Sequence, residues 1–427
     1  MSDSLAHIAS CIAGYDPNAL PVRQAQAFIA RLVPRVQAVE RLAIREGLGR
    51  VLAQHIVSPI DVPAHDNSAM DGFALRGSDL AAAGPTALVV TGTGLAGQPL
   101  AAALEPGQAM RIMTGAVMPP GADTVVPQEF TSIDEAGRVV IPQGVVRPGD
   151  NRRLRGEDLT RGEPALHAGR LLTPADLGLL ASLGQAEVPV LRRLRVAFFS
   201  TGDELRSIGE PLDAGCVYDS NRYTLHGMLT RLGVDLIDMG VVRDEPAALE
   251  AAFRLAADCA DAVITSGGVS VGEADHTKQV MARVGEVLFW KIAMRPGRPM
   301  AIGRIGTPGR EAILFGLPGK PVAVMVTFYA FVRDALMAMG GASPQTLPML
   351  RAVSEAPLRK KPGRTEFQRG IVSQAPDGRW QVRITGSQGS GILRSMSEAN
   401  GMVVLDHQQG DVAAGELVDV IPFGGLI

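Results

Sequence analysis

The sequence predicts an α/β protein with additional β domains: a central doubly wound, mostly parallel sheet, two smaller β-rich domains, and a helical or linker region. Three observations predict it. From Arg195 to about 340, short apolar runs alternate with amphipathic segments of helical length, the pattern of βα units feeding a parallel sheet. On both sides of that stretch, short β-prone runs are separated by Gly and Pro turns. The chain has 427 residues with 49 Gly and 29 Pro, too long for one ordinary core and rich in turns, so two to four domains are expected.

Residues 19–57 read as helical. Ala25, Phe28, Ile29, Leu32 and Val33 recur at helical spacing before Pro34 interrupts, and a second helical stretch, Gly47–Ala53, follows Glu40–Ile44. From 58 to 150 the texture is β-rich, with strands expected at Ala87–Thr91, Ala109–Met113, Thr124–Pro127 and Arg138–Ile141. Residues 151–184 return to turns and one helix, Pro174–Leu183, capped by Thr173; they are grouped with 19–57. The α/β domain is placed at 185–340. Its strands are expected at Val196–Ser200, Val234–Met239, Ala262–Thr265, Val287–Ile292 and Ala312–Phe315. Its helices start near Asn221 (as cap), at Glu245-Pro246, around Thr277, and at Val322. The last, Val322–Met339, contains the longest apolar run and reads as a buried helix too short to cross a bilayer. A second β domain covers 345–427, with strands at Phe367–Val372, Trp380–Ile384, Gly401–Leu405 and Leu417–Ile421.

Composition narrows the function. Net charge is −3 and charged residues make up 20%, so nothing points to nucleic acid or an anionic membrane as partner. The three cysteines, Cys11, Cys216 and Cys259, form no CxxC pair, which argues against a disulfide framework or a zinc site and for a reducing cytoplasm. No signal peptide pattern opens the chain.

Four segments follow expected strands of the α/β domain: Ser200–Glu204, Ser266–Asp275, Arg295–Arg298 and Gly316–Lys320. Open parallel sheets bind ligands at the carboxyl ends of their strands, so all four are expected on one rim. Thr201-Gly202-Asp203-Glu204 offers a hydroxyl and two carboxylates for sugar hydroxyls or Mg²⁺. Ser266 to Asp275 carries Gly267, Gly268, Ser270, Gly272 and Glu273, a glycine loop that lets backbone approach a phosphorylated ligand. It is not a P-loop, since Gly319-Lys320 is followed by Pro321. Lys291, Arg295 and Arg298 form a basic cluster suited to a tetrahedral oxyanion. Pro318-Gly319-Lys320 sets a cation at a helix start, where an anion nearby would compensate the unfavourable dipole. In the first β domain, Asp61–Ala74 is dense in small polar residues and acids, and Arg111–Ala116 carries Thr114 and Gly115 after a strand. Alone, each reads as loop. His65 has no partner histidine at ligand spacing.

Taken together and in order, Asp66-Asn-Ser-Ala-Met-Asp-Gly72, Arg111–Gly115, Gly156-Glu-Asp158, Ser200–Glu204, Tyr218-Asp-Ser-Asn221, Thr265–Asp275 and Pro318-Gly319 closely resemble the molybdopterin molybdenumtransferase family, bacterial MoeA and the gephyrin E domain. The resemblance runs from about Leu20 to the end. It implies a molybdopterin-binding fold for the α/β domain and insertion of molybdenum into adenylylated molybdopterin, using molybdate, assisted by Mg²⁺ and releasing AMP. It implies an elongated homodimer whose site lies between the α/β domain of one subunit and the Asp66–Gly72 β domain of the other. By position, Asp71 and Thr114 would reach the partner's site. Glu204, Asp244 and Asp275 match acids touching pterin, nucleotide or metal, with Glu204 and Asp275 as candidate metal ligands. Lys291 and Arg295 match cations holding oxyanion or phosphates. A molybdopterin adenylyltransferase and molybdoenzyme maturation proteins are the candidate protein partners.

The chain departs from many relatives in reading Arg295-Pro-Gly-Arg298 for Lys-Pro-Gly-Lys, Lys320 for Asn, and His65 for a larger apolar residue. Arg for Lys keeps charge and changes reach and hydrogen-bond geometry. Two alternatives stand beside the enzyme: a non-catalytic cofactor carrier or scaffold, which the altered basic cluster and large β surfaces would suit, and an adenylyltransferase, which would need only the α/β domain.

Overall fold

The computed structural model describes residues 4–98, 102–269 and 275–424. Its centre is a six-stranded sheet built from β1 (Arg195–Thr201), β2 (Asp235–Val242), β3 (Ala262–Ser266), β4 (Gly285–Lys291), β5 (Pro299–Thr307) and β6 (Arg310–Leu317). The order is β2-β1-β3-β6-β5-β4. β2, β1, β3 and β6 pair in parallel, while β5 and β4 add on antiparallel.

Alternation along β1 shows why both faces are covered. Val196 and Phe198 join one core, with Leu225, Met228 and Leu229 of helix α1 (Ser220–Arg231). Ala197 and Phe199 join another, with Leu249 and Phe253 of α2 (Pro246–Cys259) and Val280 and Met281 of α3 (Asp275–Val284). Side chains of a strand point alternately to opposite faces, so a strand apolar throughout needs helices on both sides. The first core also takes Phe28, Ile29 and Leu32 of the helix Val22–Leu32. It further takes the buried stretch beginning at Pro321, which is α-helical over Pro321–Thr327 and Arg333–Met339 with a π turn, Phe328–Val332, between. That 321–339 stretch is the one described helix long and apolar enough to cross a membrane, and most of it is buried inside the protein.

Three expectations need correction. Glu40–Ile44 and Gly47–Ala53 are not helical. Val39–Ala43 is a strand paired antiparallel with Glu187–Leu191, a 3₁₀ turn covers Ile44–Glu46, and Val51 and Leu52 form bridges to Leu171 and Val190. Their pairing partners lie more than a hundred residues away, beyond the reach of local periodicity. Asn221 does not cap α1; Asp219 does, its side chain accepting from the Arg222 N–H. And β5 goes unread in the sequence because Gly303 and Gly306 interrupt its apolar pattern. Gly303 is required there, since a Cβ would lie 2.2 Å from the Glu286 carbonyl oxygen.

In the first β domain, a six-stranded sheet runs in the order Thr124–Pro127, Gly72–Leu75, Gln108–Ile112, Thr86–Gly94, Arg138–Ile141, Ser132–Ile133. At the other end of the chain, Thr365–Gln374, Trp380–Ile384, Leu350–Ser354, Leu417–Pro422 and Gly401–Leu405 pair in succession, and the last pairs back with the first. This closes a five-stranded barrel. Met294–Arg295 adds to it in parallel beside Thr365–Glu366, so the barrel is tied to the connection between β4 and β5.

The amino ends of the central strands are held by Asp261. Its carboxylate takes a bidentate fork from Arg192 at 2.7 and 2.8 Å and the Arg195 N–H at 2.8 Å. Burial pushes its pKa up, but the Arg192 hydrogen bonds, the Arg195 N–H and both positive charges outweigh that and hold it below the ordinary carboxylate value. A carboxylate depressed in the folded state contributes stability above its unfolded pKa and loses it as pH falls through the folded one. Asp261→Asn is therefore expected to cost roughly 1–3 kcal/mol at pH 7. The deficit relative to wild type should shrink as pH drops below about 4, read from melting temperatures across a pH series.

Candidate active site

All four rim segments meet at one cavity of about 820 Å³. Thr201, Gly202 and Glu204 come from the end of β1, and Asp244 from the end of β2. Ser266, Gly267 and Gly268 follow β3, and Pro318, Gly319 and Lys320 follow β6. Arg295 to Pro299 come from the β4–β5 connection. β5 starts, and β4 ends, at the rim where the parallel strands end, so the antiparallel pair still delivers its arginines to the same side.

The strand order polarises this cavity. Asp244 and Glu204 leave β2 and β1 at one side; the seryl and glycyl loop leaves β3 in the middle; Lys320, Arg295 and Arg298 leave β6, β5 and β4 at the other. With neighbouring strands ~4.8 Å apart, Glu204 and Lys320 leave strands about 10 Å apart, and Asp244 and the Arg295–Arg298 connection leave strands about 20–25 Å apart. Arg295, Arg298, Lys320 and Glu204 are all exposed. The site can thus take a long ligand with a polar, donor-bearing end and an anionic end.

Backbone proximity fixes the middle. Gly267 and Gly268 have φ of +97° and +68°. A Cβ on Gly267 would lie 2.4 Å from the Thr201 carbonyl oxygen, and one on Gly268 2.5 Å from Thr277. Gly267 donates its N–H to Leu317 O at 3.0 Å, so the β3 and β6 loops are drawn together under the cavity. Asp244 is oriented by Thr277, whose hydroxyl donates to it at 3.0 Å, and its N–H donates to Asp203 at 3.3 Å. Ser200 and Ser266 hydroxyls share a buried hydrogen bond of 3.1 Å.

The barrel adds a wall that the sequence reading missed: Arg364, Gln388, Gly389 and Ser390. Arg364 is paired with Glu366 at 2.6 Å. Behind the wall Arg369 is fully buried and donates to Ser395 and Gly389 at 3.0 Å, while its N–H donates to Gln388 at 2.7 Å. Burial, and then the charge of Arg295, push its pKa down to about 10. No local motif marks these residues, since the barrel's pairing with Arg295 is what brings them in.

Comparison with known proteins decides the family. Residues 20–184 match the MoeA N-terminal region (domain I and II), 197–338 a probable molybdopterin binding domain, and 351–423 the MoeA C-terminal region (domain IV). The chain is 42% identical over 409 residues to a molybdopterin molybdenumtransferase of Haemophilus influenzae, covering 96% of this chain and all of that protein. The chain belongs to the molybdopterin molybdenumtransferase family. A second member, from Nostoc, is 37% identical with 94% of this chain and 93% of the other covered. The crystal structure of the molybdopterin biosynthesis moeA protein from Pyrococcus horikoshii OT3 superposes with a TM-score of 0.81 at 28% identity, over 95% of this chain and all of that one.

Not every residue that the family resemblance singles out lines the cavity. Lys291 stands at the end of β4, where its N–H and carbonyl bind Pro17 and Leu20. Asp203 is exposed and acts on Asp244. Asp71 and Thr114 lie in the first β domain, where Asp71 accepts from the Thr114 N–H and hydroxyl, each at 2.7 Å. These two bonds, backbone first, hold Asp71 below the usual carboxylate pKa, so it is an anion at neutral pH. Ser270, Gly272, Glu273 and the side chain of Asp275 lie outside the described residues. Among the described residues no three His, Cys, Asp or Glu side chains group to hold a metal. Glu204 and Asp244 do share the acidic end of the cavity, a hard-oxygen set that fits Mg²⁺ when phosphate oxygens and water complete its shell.

Because the Gly267 geometry has no room for a Cβ, Gly267→Ala should strain the loop by on the order of 1–3 kcal/mol. Molybdopterin binding by calorimetry should weaken at least about tenfold, while Gly209→Ala, a positive-φ glycine away from the cavity with open space around it, should leave that affinity unchanged.

Proposed function

We propose that this protein inserts molybdenum into molybdopterin, taking adenylylated molybdopterin and molybdate and releasing AMP. The observation that carries the reading is the polarised cavity, in a chain similar over nearly its whole length to named molybdopterin molybdenumtransferases. Molybdate is a tetrahedral dianion, and the guanidinium forks of Arg295 and Arg298 with the ammonium of Lys320 suit it. The Ser390 and Gln388 wall supplies neutral donors at the same end.

Attack of an oxygen of water or molybdate on the phosphoanhydride forms one P–O bond as the bridging one breaks, and the separated AMP and pterin phosphate carry more negative charge than the joined substrate. Fixed cations at the cavity stabilise that charge more than they stabilise the bound substrate, which lowers the barrier. Glu204, Asp244 and Asp275 would hold Mg²⁺, whose chemistry here is neutralisation of phosphate charge. No covalent nucleophile is required. The Arg295–Arg298 pair extends bidentate hydrogen bonding to the oxyanion where many relatives have lysines.

In this reading the active unit is a homodimer. Asp71, held as an anion by Thr114, acts on the cavity of the second subunit, which accounts for its absence from the cavity lining of its own chain.

Purified protein is expected to release AMP from adenylyl-molybdopterin only when molybdate is added. Release independent of molybdate, or none at all, would sink the proposal. Arg298→Ala should raise the molybdate concentration needed for half-maximal rate by about 10²-fold with a smaller effect on binding of the pterin substrate alone. Mixing inactive Asp71→Asn and Asp275→Asn proteins should restore up to about a quarter of wild-type activity if the site is shared across a two-fold dimer, and none if each chain uses its own Asp71.

A further inference from the structure

Two histidines outside the cavity face each other across the neck of the first β domain. The chain runs toward that domain through Ile56–Val57 and returns from it through Pro164–Leu166, and these two strands pair antiparallel. The pairing of Ile56 with Leu166 and the bridge of Val51 to Leu171 keep one register. That register sets His55 directly opposite His167, where cross-strand side chains meet. Leu52, Ile56, Leu166 and Leu172 turn inward to a common core. By alternation His55 and His167 stand on the other face, and both are exposed.

The two imidazoles meet at their Nδ1 atoms, 3.2 Å apart, with ring planes at 84°. The Ala168 N–H also donates to His55 Nδ1, at 3.4 Å. His55 Nδ1 is therefore an acceptor, and His167 Nδ1 is the donor between the rings. Neutral imidazole can carry its proton on either nitrogen. With the proton on Nε2, His167 presents a second lone pair toward His55, and a cation between them would bind both. An ion at the zinc–imidazole distance of about 2.05 Å from each nitrogen would see them at an angle of about 100°, between octahedral and tetrahedral values. The strand pairing already fixes both backbones, so chelation orders little more than two rings. Among the described residues no third His, Cys, Asp or Glu joins the pair, so water completes the shell. Two imidazoles and water suit Zn²⁺, Ni²⁺ or Cu²⁺ rather than Mg²⁺.

We infer that His55 and His167 chelate an exchangeable divalent transition-metal ion that clips together the two chains of the neck. Each Nδ1 lone pair goes to the metal and the His167 proton moves to Nε2, so no proton is lost and no electron is transferred. The clip lies where the β domain carrying Asp71 joins the rest of the chain, and it stands apart from the reaction proposed above.

Titration calorimetry of the full chain with Zn²⁺, and separately with Ni²⁺, should show one site that Mg²⁺ does not occupy. Both histidines are exposed, so His55→Asn and His167→Asn should fold normally, and each should weaken that site at least about tenfold. Two histidines acting separately would instead lose half of the bound metal in each variant, with affinity unchanged. X-ray absorption with one equivalent of Zn²⁺ should count two imidazole nitrogens at about 2.0–2.1 Å. The Leu52, Ser58 and Leu172 N–H groups bridge the neck to Arg170, Glu163 and Arg50 carbonyls; their hydrogen exchange should slow on adding Zn²⁺ in wild type and in neither variant. No metal site in wild type, a site that the variants leave intact, or halved stoichiometry overturns the chelate. Zinc binding without slower exchange overturns the clip.

Discussion

The parallel pairing of β2, β1, β3 and β6 is the constraint on which the rest depends. Parallel strands must all be left from the same edge, so every loop after them emerges on one rim, whatever its sequence. Asp261 holds the opposite edge. It binds Arg192 and the Arg195 N–H through its carboxylate, while its own N–H donates to Arg195 O and its carbonyl accepts from Ile313. The start of β1, the turn into β3 and the start of β6 are thus fixed relative to one another, which sets their ends at the cavity.

Strand order then becomes charge order. The chain runs β1, β2, β3, but the sheet runs β2, β1, β3, β6, β5, β4. Acids that are well separated in sequence, Glu204 and Asp244, become neighbours, and the cations of the β4–β5 connection fall beside Lys320. A cavity with one sign at each end orients an extended substrate before any specific contact forms. Neutral groups occupy the middle, where the Gly267–Leu317 hydrogen bond brings two loops together and Asn221 spans them. The barrel completes the cationic end. It does so through the short pairing of Met294–Arg295 with Thr365–Glu366, and the buried Arg369 braces the 388–390 wall without an acid of its own among its hydrogen-bond partners.

The sequence by itself determined the alternation of strand and helix from Arg195 onward, because apolar period and Pro or Gly punctuation are local properties. It also determined which loops carry chemistry: hydroxyls, carboxylates, glycines and arginines after strands are visible as residues. The convergence of four such loops was readable too, since the rim rule needs only that the strands be parallel. What only the tertiary structure decided is everything resting on a distant partner. The strand Val39–Ala43 exists because Glu187–Leu191 lies beside it, while its own periodicity suggests helix. β5 is stabilised between β4 and β6 despite its glycines. Lys291 carries the right charge, yet its backbone is committed to Pro17 and Leu20, and it stays outside the cavity lining. Arg364, Arg369 and Gln388 carry no motif and enter through barrel closure. Asn221 reads as a helix cap until Asp219 is seen to hold that position. Side-chain identity fixes what a residue can do; packing between elements remote in the chain fixes which ligand, if any, it meets.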